Sequence, residues 1–310
     1  SLQFALIWLS STTAMDNPAP MYGKSPLGKR FTPEHRLYIT LGGVPISPWQ
    51  DIPVEVRGDL VTMVVEIPRL THAKFEIDTK LPLHPIRQYE RDGALKFVHN
   101  IFPCYGYPFA YGSLPQTMSS ASVRDEVTGV VGDGAPLDVI EIGHGVFEVG
   151  DVIRVKVLGA LPLIDQGQTD WKIITIHEHD PCAGRVDNLV DVGIVFPGLL
   201  EMIKHWLKNY KVPTGREPNT IFNQFYMVKE AAMKVIASGE KQYTNLAAVI
   251  PNTDYSWISH SLGCNALQAE QVVSTYFRSL PVRDVVADAI LNPIQCPLHT
   301  KQFFYLPRSQ

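Results

Sequence analysis

From residue 36 to residue 177 the chain is written in short runs that alternate apolar and polar side chains, punctuated by proline and glycine. A period of two puts alternate side chains on opposite faces of a strand. The runs at 36–41, 61–67, 74–77, 95–99, 139–142, 152–159 and 171–177 carry this signature. With 24 prolines and 22 glycines spread along the chain, long helices are excluded here and short strands joined by turns are favoured. No helical period alternates with the strands, so a barrel or a strongly bent antiparallel sheet is expected. Helical periodicity begins late. The run 199–210 puts Leu199, Ile203, Trp206, Leu207 and Tyr210 on one face, and 224–238, 266–280 and 282–291 follow with similar stripes. Such stripes predict core packing, not cofactor contact.

Composition narrows the function classes. At 310 residues, 45% hydrophobic and 19% charged, this is an ordinary globular chain. A net charge of -4 without a long basic run argues against a nucleic-acid surface. The apolar stretch 4–9 is too short to span a bilayer. Cys104, Cys182, Cys264 and Cys296 form no CxxC pair, which speaks against a disulfide framework and for a reducing, intracellular setting. The methionine-free start and a proline-rich arm favour the mitochondrion over the cytoplasm. Three regions are expected: an extended arm over 1–35, a body over 36–246 and a C-terminal extension with helical segments over 247–310.

The chemistry concentrates in a few stretches. In 131–143, Asp133 and Asp138 flank an Asp-Gly turn and Pro136 just before an apolar run, and paired carboxylates at a strand mouth suit Mg²⁺, which takes hard oxygen ligands. Asp165, Asp170 and Lys172 cluster before the 171–177 strand. Glu66, Arg69, Lys74 and Glu76 lie upstream, and alternation lets Lys74 and Glu76 face one cavity. Tyr107, Tyr111, Tyr210 and Lys211 complete the candidates. His177, Glu178, His179 and Asp180 have a spacing able to ligate zinc, but on a turn they read as a surface loop. His72, His84, His99 and His144 have no partner at ligand spacing, and the cysteines read as inert thiols.

The segments DIPVEV (51–56), MVVEIPR (63–69), YGSLPQT (111–117), GDGAPLDVIEIG (132–143), TDWK (169–172), FPGLL (196–200) and NYKVPTG (209–215) occur in this order. Together they resemble the soluble family I inorganic pyrophosphatases of the eukaryotic type. The resemblance implies an α+β fold, mainly β: a five-stranded OB-type barrel with helices packed outside. It implies Mg²⁺-dependent hydrolysis of pyrophosphate to two phosphates. Asp133, Asp138, Asp170, Asp165 and Glu76 would hold metal, with Glu66 at the edge. Lys74, Lys96, Tyr111, Lys172, Tyr210 and Lys211 would contact phosphate.

The chain departs from that pattern. The family's Asp-x-Asp-Pro-x-Asp has Ala135 in place of its middle carboxylate, the group that readies the attacking water. Lys96 replaces an arginine, and Gln166 and Ser119 replace acidic residues. The aromatic dimer anchors of the family are Leu70, Tyr105 and Gln302 here, which counts against the family homodimer. The sequence reading is therefore a catalytically impaired, pyrophosphatase-like subunit of a larger assembly, with Mg²⁺ binding weakened or lost. An active Mg²⁺-dependent pyrophosphatase is the alternative, and a phosphate- or pyrophosphate-binding module a second one. No membrane span and no nucleic-acid partner are expected.

Overall fold

The computed structural model describes residues 21–249 and 297–306. Its centre is a ring of five strands: β1 (Leu60–Ile67), β2 (Ala110–Ser113), β3 (Asp138–Glu141), β4 (Val152–Asp165) and β5 (Gln168–His177). The spatial order is β5-β3-β2-β1-β4, and β4 pairs back onto β5, which closes the barrel. Every pairing is antiparallel except β3 with β5, which is parallel. Closure removes the exposed edges that an open sheet would leave. The OB-type barrel inferred from sequence is the fold.

Local chemistry explains the joints. The β4–β5 hairpin turns through Gln166 and Gly167, both at positive φ (52° and 83°), the geometry that matches strand twist in a two-residue loop. β2 crosses β1 so closely that a Cβ on Gly112 would lie 2.0 Å from the Val64 carbonyl oxygen; only glycine fits. Alternate barrel residues, among them Met63, Val65, Val139, Val157 and Ile173, fill one part of the core and are buried.

A second antiparallel sheet joins Tyr22–Leu27, Arg36–Leu41, Val44–Ile46, Ile86–Gln88 and Phe75–Ile77. Residues 22–27, assigned to an extended arm on sequence, thus supply a strand paired along Arg36–Leu41. Among the described residues, three α-helices lie outside the barrel: α1 (Leu189–Val195), α2 (Leu199–Asn209) and α3 (Lys229–Val249). Asn188 caps α1 by accepting the N–H groups of Val190 and Asp191. α2 buries Ile203, Trp206 and Leu207, the stripe read from its period. α3 corrects the expected 224–238 helix. Met227–Val228 is drawn into pairing with β4, so the helix starts at Lys229 and runs on past residue 246. The expected 95–99 strand is also corrected: it is broken into Ala94–Leu95, an isolated antiparallel bridge from Phe97 to Ala73, and Asn100–Ile101. The helical stretches 266–280 and 282–291 lie outside the described residues.

The chain returns at its end. Phe303–Phe304 pairs in parallel with Asn100–Ile101. The buried Asn100 amide donates to the carbonyls of Thr300 and Gln302, while its oxygen accepts from Gly106 N–H and bonds His72 Nε2. Among the described residues no helix is long and apolar enough to cross a membrane.

Candidate active site

The parallel β3–β5 pairing builds the site. It sets Asp138 opposite Lys172, and alternation puts Asp170 on the same face as Lys172. Lys172 Nζ lies 2.5 Å from Asp138 Oδ2, 2.5 Å from Asp170 Oδ1 and 2.8 Å from the Tyr111 hydroxyl. The Tyr111 hydroxyl in turn donates to Asp138. Burial works to raise the Asp138 pKa, but the Lys172 charge and these hydrogen bonds outweigh it and hold Asp138 ionised below its usual range. Burial, with Asp138 and Asp133 beside it, pushes Asp170 up to about 8 against the pull of Lys172. Burial opposes the charge on Lys172 too, yet its two carboxylate partners keep it an ammonium.

The other candidates arrive from separate elements. Lys74 and Glu76 flank Phe75 at the edge of the second sheet and pair at 2.9 Å. Glu66, on β1, accepts from Ser113 Oγ (2.7 Å) and the Ile77 N–H (2.8 Å); burial, then the Asp138 charge, pushes it up to about 8. α2 ends at Tyr210, whose ring stacks on Trp206 at 4.9 Å, and Lys211 just beyond it ion-pairs Asp165 from the end of β4. Burial lowers the Lys211 pKa although Asp165 works the other way.

All of these side chains line one cleft of about 340 Å³: Glu66, Lys74, Glu76, Lys96, Tyr107, Tyr111, Asp133, Ala135, Asp138, Asp165, Asp170, Lys172, Tyr210 and Lys211. Residues as far apart in sequence as Glu66 and Lys211 therefore meet as the motif order implied. Ala135 lines it as a methyl group. Its N–H is held by Asp133 Oδ1 at 3.0 Å and its carbonyl by the Ser119 N–H at 2.9 Å, so the turn keeps its shape without the third carboxylate. Two further cations, Arg91 and Arg216, also face the cleft. Burial first, then Arg91, Arg216, Lys211 and Lys74, lower the Lys96 pKa. Sequence reading passed over both arginines; adjacency of Arg216 to the NYKVPTG segment was the available signal.

The donor set fits Mg²⁺. Hard carboxylate oxygens from Asp133, Asp138, Asp165 and Asp170 line the one cleft, and Asp165 Oδ1 is buried with no hydrogen-bond partner among the described residues.

Comparison with known proteins agrees with this geometry. A family model described as inorganic pyrophosphatase matches residues 63–244. An inorganic pyrophosphatase of Drosophila melanogaster is 43% identical over 235 residues, covering 74% of this chain and 70% of that protein. A mouse protein named inorganic pyrophosphatase 2, mitochondrial, is 41% identical over 245 residues, 73% of this chain and 74% of its own. Among solved structures, an N-terminally truncated vacuolar soluble pyrophosphatase of Trypanosoma cruzi in complex with PPi superposes with a TM-score of 0.72 at 34% identity. It covers 80% of this chain and all of its own.

Proposed function

Because the chain belongs to the family of soluble inorganic pyrophosphatases, we propose that it binds pyrophosphate with Mg²⁺ in this cleft and hydrolyses it to two phosphates, at a rate held down by Ala135. The observation that carries the reading is the gathering of the carboxylates and cations into one cleft with the turn around Ala135 intact. Bound Mg²⁺ would acidify a water and neutralise phosphoryl charge. Asp133, Asp138, Asp165, Asp170 and Glu76 would hold it. Lys172, kept charged by its carboxylate partners, and Lys74, Lys96, Lys211, Tyr111 and Tyr210 would bind and orient the phosphoryl oxygens. The alanine methyl can neither accept a proton nor ligate metal. We assign these roles to the body over 36–246, with the flanking segments serving contacts to other chains.

Hydrolysis is better supported than the inert-subunit reading, since relatives at this identity are named pyrophosphatases. The subunit reading keeps one observation of its own: an exposed aromatic cluster in which Phe102 stacks on Tyr305 at 5.3 Å and meets Phe303 at 6.0 Å. Phosphate release with Mg²⁺, measured beside an Ala135→Asp variant, decides between them. Turnover is expected in the wild-type chain, with a gain of about 10²- to 10⁴-fold on restoring the base. No turnover in either protein would leave the cleft a binding module and the chain an accessory subunit.

A further inference from the structure

Parallel pairing has a second effect at the far end of the same two strands. β3 and β5 run the same way, with Glu141 opposite Thr175, so their exit turns emerge side by side. The turn after β3 carries His144; the turn after β5 carries Asp180 and Cys182. One ligand atom from each of these three lies within 4.8 Å of the other two. His144 Nδ1 and Asp180 Oδ1 are 3.4 Å apart, close to the ~3.3 Å that two tetrahedral ligands at Zn–N and Zn–O distances of about 2.0–2.1 Å would show. The Asp180 carboxylate is fixed from below, accepting the N–H groups of His144 and Cys182. Its side chain is fully buried while the His144 ring is 61% exposed, leaving an open side for water.

A second observation points the same way. The Glu141 side chain is also fully buried, and its Oε2 has no hydrogen-bond partner among the described residues. The Arg69 guanidinium stands 3.7 Å from it and donates instead to the Gly143 carbonyl. Glu141 Oε1 and Asp180 Oδ2 both crowd the Gly143 Cα, where a Cβ would meet them at 2.6 and 2.4 Å. Two buried carboxylates thus stand together at the Gly143 turn, beside the proposed ligands. His177, at the end of β5, and His179, on that strand's exit turn, have their rings 5.5 Å apart. The local zinc spacing of residues 177–180 is not what assembles: Asp180 groups with Cys182 two positions on and with His144 from the turn after β3.

We propose that His144, Asp180 and Cys182 form a binding site for one thiophilic divalent cation of the Zn²⁺ type, distinct from the cleft. A mixed nitrogen, oxygen and thiolate set selects such ions over Mg²⁺. Binding releases the Cys182 thiol proton to solvent.

The test uses Co²⁺ as an optical probe on the full chain, with Mg²⁺ in excess to occupy the cleft. A thiolate-to-cobalt charge-transfer band titrating to one equivalent, and abolished by Zn²⁺, is expected. The band should vanish in Cys182→Ser, and His144→Ala should weaken Zn²⁺ binding at least ~10-fold, with circular dichroism checking that each variant is folded. Cobalt binding without a thiolate band overturns the site, as does a band that survives in Cys182→Ser. Should the serine variant not fold, unchanged Zn²⁺ affinity in His144→Ala overturns it alone.

Discussion

At the scale of single residues, the proposed hydrolysis turns on position 135. The Asp133–Ala135 turn holds its hydrogen bonds, so an aspartate placed there enters a prepared backbone. That is why the gain expected of Ala135→Asp belongs to chemistry and not to refolding. Glu66 gives a pH prediction. Its pKa rises from 4.5 to about 8 in the folded protein, so the folded state holds a proton that the unfolded state gives up. The stability this contributes is complete below pH 4.5 and is lost as pH rises through about 8. Metal-free protein should therefore lose thermal stability across that window, and Glu66→Gln should flatten the decline. Melting temperatures recorded in chelator between those limits check it; an equal slope in the variant would refute the assignment.

At the scale of elements, backbone proximity sets the constraints. Gly112→Ala would drive a methyl into the Val64 carbonyl, and overpacking of this kind costs about 1–3 kcal/mol. Urea denaturation should show the loss, with the β1–β2 crossing as its seat. The barrel strands were legible in sequence because short apolar, β-branched runs mark them: 61–67 anticipates Leu60–Ile67, and 139–142 anticipates Asp138–Glu141, although both strands are buried along nearly their whole length. β2 was not legible as a strand. Its four residues, Ala110 to Ser113, are buried but include no β-branched side chain, and Gly112 interrupts the run, so no strand signal is written there. The early start expected for α3 failed for a tertiary reason: pairing of Met227–Val228 with β4 overrides a local helical pattern. That the candidate site residues line one cleft was legible through the ordered motifs. Arg91, Arg216 and the His144–Asp180–Cys182 group were not, since only the folded barrel brings them to their neighbours.

At the scale of the whole molecule, one face stands out. Leu70, Phe102, Tyr105, Phe303 and Tyr305 are all exposed, Tyr305 by 68%. The turns that carry Leu70 and Tyr105 are tied together by the Leu70 N–H on the Tyr107 carbonyl at 2.7 Å. Clustered aromatic exposure of this sort is where the proposed contact with another chain would fall. Phe102→Asp is expected to shift sedimentation of any assembly toward the single 34.6 kDa chain, and an assembly indifferent to that charge would place the contact elsewhere.

The stitching of Phe303–Phe304 onto Asn100–Ile101 also fixes how the molecule would bear a load. Hung from its C-terminus, it would take the strain first along that short seam and on the Asn100 amide that grips Thr300 and Gln302. Asn100 lies in the segment between Lys96 and Tyr107, both walls of the cleft. An anchor, bead or fused domain attached at that end would tug on the substrate's cradle before it disturbed the barrel.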